Sequence, residues 1–230
     1  MNRLLPHLML YAALLAAPAA RAQGYVGLGL DYSMTTAPLI NFANMAVMNN
    51  NSMNTGLHSR GKAARMEAPP AVQRNARELA KVFPASSQAA MAQAFQQSMD
   101  VYQQVAAKMG WQRDDLDGAM AAFIVGNYMV FANREVLDEE FAAVAEQLRQ
   151  GGGTRRLAEK QSAETIRNLY EKSAMVGAFM ALAYKSQQQK AQSEHAAANL
   201  RNSARENLKL VLGADPERLQ IDERGVMLVK

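Results

Sequence analysis

Ala119-Met-Ala-Ala-Phe-Ile-Val-Gly-Asn-Tyr-Met-Val-Phe-Ala132 decides how this chain folds. Only Asn127 and the hydroxyl of Tyr128 interrupt its apolar run. A helix that is apolar around its whole circumference belongs either at the centre of a bundle or in a bilayer. A bilayer core of about 30 Å needs about 20 such residues. This run is shorter and carries an amide, so the sequence predicts a central helix over 115–132. Asp114 stands where an N-cap belongs. Asp115 and Asp117 would lie at the positive end of the helix dipole.

Working outward, the chain from 71 to 212 reads as helix almost throughout. A short helix over 71–82 is stopped by Pro84. A second runs over 87–109, where Met91, Phe95, Met99, Tyr102, Val105 and Met109 recur at intervals of three and four and share one face. Ser86 or Ser87 would cap its start, and Gly110 would end it in the left-handed conformation. A fourth helix over 135–150 carries Leu137, Phe141, Val144 and Leu148 on one stripe, and Gly151-Gly-Gly153 breaks it. A fifth over 163–188, preceded by a shorter piece over 155–160, has a broad apolar surface. A sixth over 192–212 presents Leu200, Ala204, Leu208 and Val211 and stops at Gly213. Beyond it, 218–221 and 226–229 flank Asp222-Glu-Arg-Gly225 and read as a small hairpin. The fold class is all-α: about six helices in one bundle, with a small C-terminal β-hairpin.

The third and fifth helices share small residues at helical spacing. Gly118, Ala122 and Gly126 lie four apart, as do Ala174, Ala178 and Leu182, with Gly177 and Ala181 one position along. A glycine inside a helix costs about 1 kcal/mol against alanine. Its presence here implies that two backbones must come close. These two helices are expected to cross at the centre.

The N-terminus reads differently. Arg3 supplies a positive charge, 4–20 is apolar apart from His7, and Ala20-Arg21-Ala22 places small residues around a cleavage point. Residues 1–22 therefore read as an export signal and 23–70 as a flexible Asn/Met-rich arm, with one short strand over 25–32. Residues 71–230 form the helical domain. The expected address is periplasmic or secreted, with no membrane-spanning segment left after cleavage.

Composition narrows the function classes. The chain has 25 Lys and Arg against 21 Asp and Glu. Arg3 and Arg21 leave with the signal, so the mature balance is only +2. Basic and acidic residues alternate along the helices as solvated faces do. Neither a basic stripe nor an aromatic platform suggests nucleic acid. Cysteine is absent, so stability must come from apolar burial rather than disulfides.

Catalytic motifs are missing. After cleavage the histidines are His58 and His195, and neither His-Glu-x-x-His nor Glu-x-x-His occurs. No Gly-x-Ser-x-Gly elbow is present. Gly151-Gly-Gly153 lacks the Lys-Ser/Thr pair of a phosphate loop. His195 reads as a solvated side chain. Most carboxylates mark helix starts. Glu171 is the exception, set among Tyr170, Ala174 and Met175 on a central helix; a buried acid of that kind is what glycan cleavage requires. Its bland alternative is a pair with Arg167 or a path to water. Asn127, Tyr128, Asn133 and Arg134 read as an internal polar network. Met45, Met48, Met53 and His58 form the one candidate metal set, since thioethers select Cu(I). No catalytic residue and no cofactor is assigned.

Asp114-Asp-Leu-Asp-Gly-Ala-Met-Ala-Ala-Phe-Ile124, Tyr170-Glu-Lys-Ser-Ala-Met-Val-Gly-Ala-Phe-Met180 and Asn207-Leu-Lys-Leu-Val-Leu-Gly-Ala-Asp-Pro-Glu-Arg-Leu-Gln-Ile221 together resemble a family of exported proteobacterial, mostly helical proteins of unknown function. The resemblance covers about 71 to the C-terminus and implies fold and address alone. The sequence thus leads to a non-enzymatic binding or envelope-associated protein whose partner is another envelope protein, for example an immunity or inhibitor protein. The alternatives are metal handling by the arm and glycan hydrolysis through Glu171.

Overall fold

The computed structural model describes residues 67–229. The signal over 1–22, the strand over 25–32 and the set Met45, Met48, Met53 and His58 lie outside the described residues. Within them are seven α-helices: α1 (Val72–Ala80), α2 (Gln88–Lys108), α3 (Leu116–Ala132), α4 (Asp138–Gly151), α5 (Gly153–Lys160), α6 (Ala163–Gln189) and α7 (Glu194–Leu212). A 3-10 turn at Pro216–Arg218 leads into β1 (Leu219–Asp222) and β2 (Gly225–Leu228). The strands pair antiparallel, Leu219 opposite Leu228 and Asp222 opposite Gly225. The short piece ahead of the long helix is thus a helix of its own, α5. It follows α4 with a single break, where Gly152 adopts φ +62°.

α3 is the axis of the bundle. All its residues except Ala132 are buried. Its main neighbour is α6, and the contact is made through backbone. A Cβ placed on Gly126 would lie 2.0 Å from the Gly177 carbonyl oxygen, and one on Gly177 would lie 2.3 Å from the Ala122 carbonyl carbon. Neither helix can turn away from such a clash as a side chain can. Gly118 has a different task. Its missing Cβ makes room for the Trp111 ring, 2.6 Å away, which in turn stacks edge-on against Phe141.

The helix ends follow local chemistry. α2 closes in a Schellman turn: the Trp111 N–H donates to Ala106 and the Gly110 N–H to Ala107, with Gly110 at φ +68°. Ser87 occupies the N-cap of α2, but its hydroxyl donates to the Pro84 carbonyl and caps nothing. At α3 the cap is Asp115, which accepts the Asp117 N–H, rather than Asp114. Asp114 adopts φ 64° and turns to Arg167, whose Nη1 donates to it at 2.8 Å. A partner 53 residues away decides between two adjacent aspartates.

Long polar side chains stitch the periphery to α3. Arg149 of α4 pairs with Asp115 at 2.5 Å, and Thr154 of α5 donates to Asp117 at 2.5 Å. The Asn207 amide on α7 donates to Asn127 at 2.9 Å, while Asn127 donates to the Phe123 carbonyl. Gln147 of α4 pairs with β2 as a strand would, donating to the Val226 carbonyl and accepting the Val226 N–H. Arg134 holds the Ile221 carbonyl and Glu140, and Glu140 reaches back to the Leu137 N–H. The expected network around Asn127 and Arg134 therefore exists as two separate clusters. One fixes α7 and the other fixes the hairpin.

Two predictions follow from the axis. Gly177→Ala should lower stability by about 3 kcal/mol, because overpacking costs 1–3 kcal/mol even where side chains can move. Gly213→Ala, at the left-handed stop just past α7 and with nothing near its Cβ, should cost about 1 kcal/mol for its positive φ. Urea unfolding of both variants tests the contrast. The second concerns Asp117, whose burial pushes its carboxyl from 3.8 up to about 6. A proton held more tightly in the folded chain than in the unfolded one stabilises the fold below about pH 4, and that contribution fades as pH rises through about 6. Asp117→Asn should therefore exceed the parent in stability at pH 7 by on the order of 2 kcal/mol, and the gap should shrink toward pH 4. Unfolding curves at the two pH values provide the measurement.

Candidate functional site

Glu171, the acid singled out by the sequence, is completely buried. It neither pairs with Arg167 nor meets water. One carboxylate oxygen accepts the Ala71 N–H at 2.9 Å and the other accepts the Asn75 amide at 2.6 Å. Ala71 is the N-cap residue of α1. Glu171 thus fastens the start of α1 by taking the N–H of its first flanking residue and the side chain of Asn75. Arg167, one turn earlier, donates through Nε to the Ala68 carbonyl and through Nη1 to Asp114. Tyr170 lies beside them; burial and then the Asp114 charge push its hydroxyl up to about 12, so it stays protonated at neutral pH. Every polar atom of Glu171 is committed to holding α1.

The other sequence candidates lie apart. His195 is exposed on α7 and shares a hydrogen bond with Asn199 at 3.1 Å. Asn127 is enclosed with Asn207. Asn133 ends α3 in the left-handed conformation and accepts from Gln188 at 3.1 Å. Among the described residues no group of three or more His, Asp or Glu side chains converges as metal ligands, and no helix is long and apolar enough to cross a membrane.

The concave surface lies elsewhere. A cleft of about 790 Å³ opens where the C-terminal end of α3 meets the α6–α7 corner. Its formation follows from local stops. α3 ends at Asn133, and the Arg134 N–H returns to the Met129 carbonyl. α6 runs on to Gln189 and ends with the Lys190 N–H on the Ser186 carbonyl. Ser193 then caps α7 by accepting the Ala196 N–H, so α7 sets off in a new direction from a four-residue corner. The floor is apolar, with Val130 and Phe131 of α3 and Ala197 and Ala198 of α7. Around it stand the amides of Gln187, Gln188, Gln192 and Asn202, the guanidinium groups of Arg201 and Arg205 and the carboxylates of Glu194 and Glu217. Arg201 lies over the Phe131 ring, 5.6 Å from its centroid. Arg205 faces Glu217 at 3.9 Å.

A second, smaller hollow of about 70 Å³ lies over the α3–α6 crossing. Val105, Val125, Met129 and Phe141 line it, and the Lys185–Glu135 ion pair borders it. It is the space left beside Gly126 and Gly177 where α2 rides over two backbones that carry no side chain.

Sequence reasoning missed the main cleft. Its walls come from three helices, and Gln187-Gln-Gln-Lys-Ala-Gln192 reads along the chain as nothing more than a polar helix end. The one available signal was the density of amides at a corner, where solubility alone would favour charges.

The chain belongs to DUF6683, a family of unknown function. The family's sequence model matches residues 4–229. The match is wider than the resemblance drawn from the helices, since it takes in the segment ahead of 71. No curated protein and no solved structure matches the chain.

Glu171→Gln should leave α3 and α6 in place and loosen α1, because a carboxamide offers one acceptor where two are used. The expected loss is about 1–3 kcal/mol, with faster amide exchange over 71–80 than over 119–131. Hydrogen exchange read residue by residue checks it.

Proposed function

We propose that this is an exported, non-enzymatic binding protein that takes a protein partner in the cleft between α3, α6 and α7. The cleft itself carries the reading. It couples an apolar floor to walls of amides and of charges of both signs, the mixture by which proteins hold peptide segments. The buried charges support it from the other side. Asp115, Asp117, Glu140, Arg167 and Glu171 are buried, and each is engaged in hydrogen bonds or ion pairs within the bundle. The export signal read in residues 1–22 puts the protein in the periplasm or outside the cell. An immunity or inhibitor role, in which the cleft closes over a toxin or a wall hydrolase, is the concrete form of this proposal.

A photo-crosslinking residue at Ala198, exposed within the cleft, should trap one dominant envelope protein in intact cells. The same residue at Gln93, exposed on α2 outside the cleft, should not. The same adducts from both positions, or none from Ala198, would overturn the assignment.

A further inference from the structure

We infer that two copies of this chain associate face to face, with Leu137 of each copy seated in the apolar hollow over the α3–α6 crossing of the other. The hollow shares no lining residue with the cleft, so this association is separate from the binding reading above. Leu137 is the first observation that carries it. At 55% exposure it is the one large apolar side chain left exposed among the described residues. It is also the N-cap residue of α4, where its side chain accepts no hydrogen bond. Leucine is among the poorest residues at that position, where Asn, Asp or Ser serves best. Within a single copy, neither burial nor capping accounts for it.

The hollow is the second observation. Its volume is about 70 Å³. A cavity of roughly 150 Å³ holds one benzene ring, so this one suits the branched end of a single aliphatic side chain. It falls far short of the roughly 300–1,000 Å³ of a small-molecule pocket. Val101, Val105, Val125, Met129 and Phe141 give it apolar walls. Its floor is backbone at Gly126 and Gly177, which have no side chain to turn inward and fill the gap. Water there would find few hydrogen-bond partners.

Placement is the third. Glu135 and Val136 line the hollow, and Leu137 follows them directly, so knob and hole are neighbours. A two-fold pair needs this arrangement: the same patch serves both copies, and each knob enters the other's hole. The rim is self-complementary in charge. Lys185 pairs with Glu135 at the mouth, and Lys108 acts on the charge of Asp138, the residue after Leu137. A second copy brings lysines to these carboxylates and carboxylates to these lysines.

Sedimentation velocity on the chain from Gln23 onward, between about 1 and 200 μM, should show monomer passing to dimer with a dissociation constant on the order of 10 μM. Leu137→Asp should weaken the dimer about tenfold or more. The same variant should melt no lower than the parent in dilute solution, because Asp is the better cap. Ala181→Phe, which fills the hollow from its wall, should weaken association with Leu137 intact. The chain contains no cysteine, so an oxidised mixture of Leu137→Cys and Ala181→Cys chains should give chiefly the mixed disulfide. His195→Cys, on α7, should give little in place of Ala181→Cys. A parent that stays monomeric at about 200 μM leaves the hollow to the residues ahead of 67 or to another protein, and would overturn the inference. So would a dimer that persists in Leu137→Asp, or a mixed disulfide that forms no better with Ala181→Cys than with His195→Cys.

Discussion

Two glycines set the geometry of this molecule. Gly126 and Gly177 let α3 and α6 meet carbonyl against backbone, with no side chain between them. Helix pairs separated by ordinary side chains pack 8–10 Å apart and tolerate modest changes in volume. A backbone contact has no such tolerance, so the crossing acts as a fixed joint. α2 lies over it, α7 is latched to the far side of α3 by Asn127 and Asn207, and α4 carries the hairpin through Gln147. Each of these elements takes its position from α3 or from something already seated on α3.

The polar interior follows from the same arrangement. A helix buried on all sides leaves its first turn without water, and its orphan donors need acceptors from the protein. α3 meets that need with Asp115, and Asp115 in turn requires Arg149. α1 starts on an alanine, and the carboxylate of Glu171 holds that residue's N–H together with the Asn75 amide. Buried charges of this kind are costly unless every lone pair is used. Their partners here lie on different helices, so the charges specify which helix sits where. A carboxylate in this setting resembles a catalytic acid in burial alone.

What the sequence could reveal depended on how local the signal was. The central helix was legible because its apolar character is continuous along the chain. The crossing was legible because a glycine in mid-helix is costly enough to demand a reason, and two matching series demanded the same one. The left-handed stops at Gly110 and Gly213 were legible for a related reason. Long-range pairings were not. Asp114 and Asp115 are equivalent as caps until Arg167, 53 residues away, claims one of them. Glu171 looks reactive until Ala71, 100 residues away, is brought to it. Gly118 shares the spacing of the crossing residues, yet it faces Trp111. The cleft was least legible, since its walls share neither period nor neighbourhood in the chain.

The grip of Arg167 on the Ala68 carbonyl also settles how this protein can be held. Arg167 and Gln187 stand 20 residues apart on α6, so the anchor and the cleft are separated by about 30 Å at a rise of 1.5 Å per residue. The described chain enters the bundle at one pole, and the cleft opens toward the other. A bead, a tag or a surface coupled directly ahead of Glu67 would therefore grip the domain about that far from the cleft.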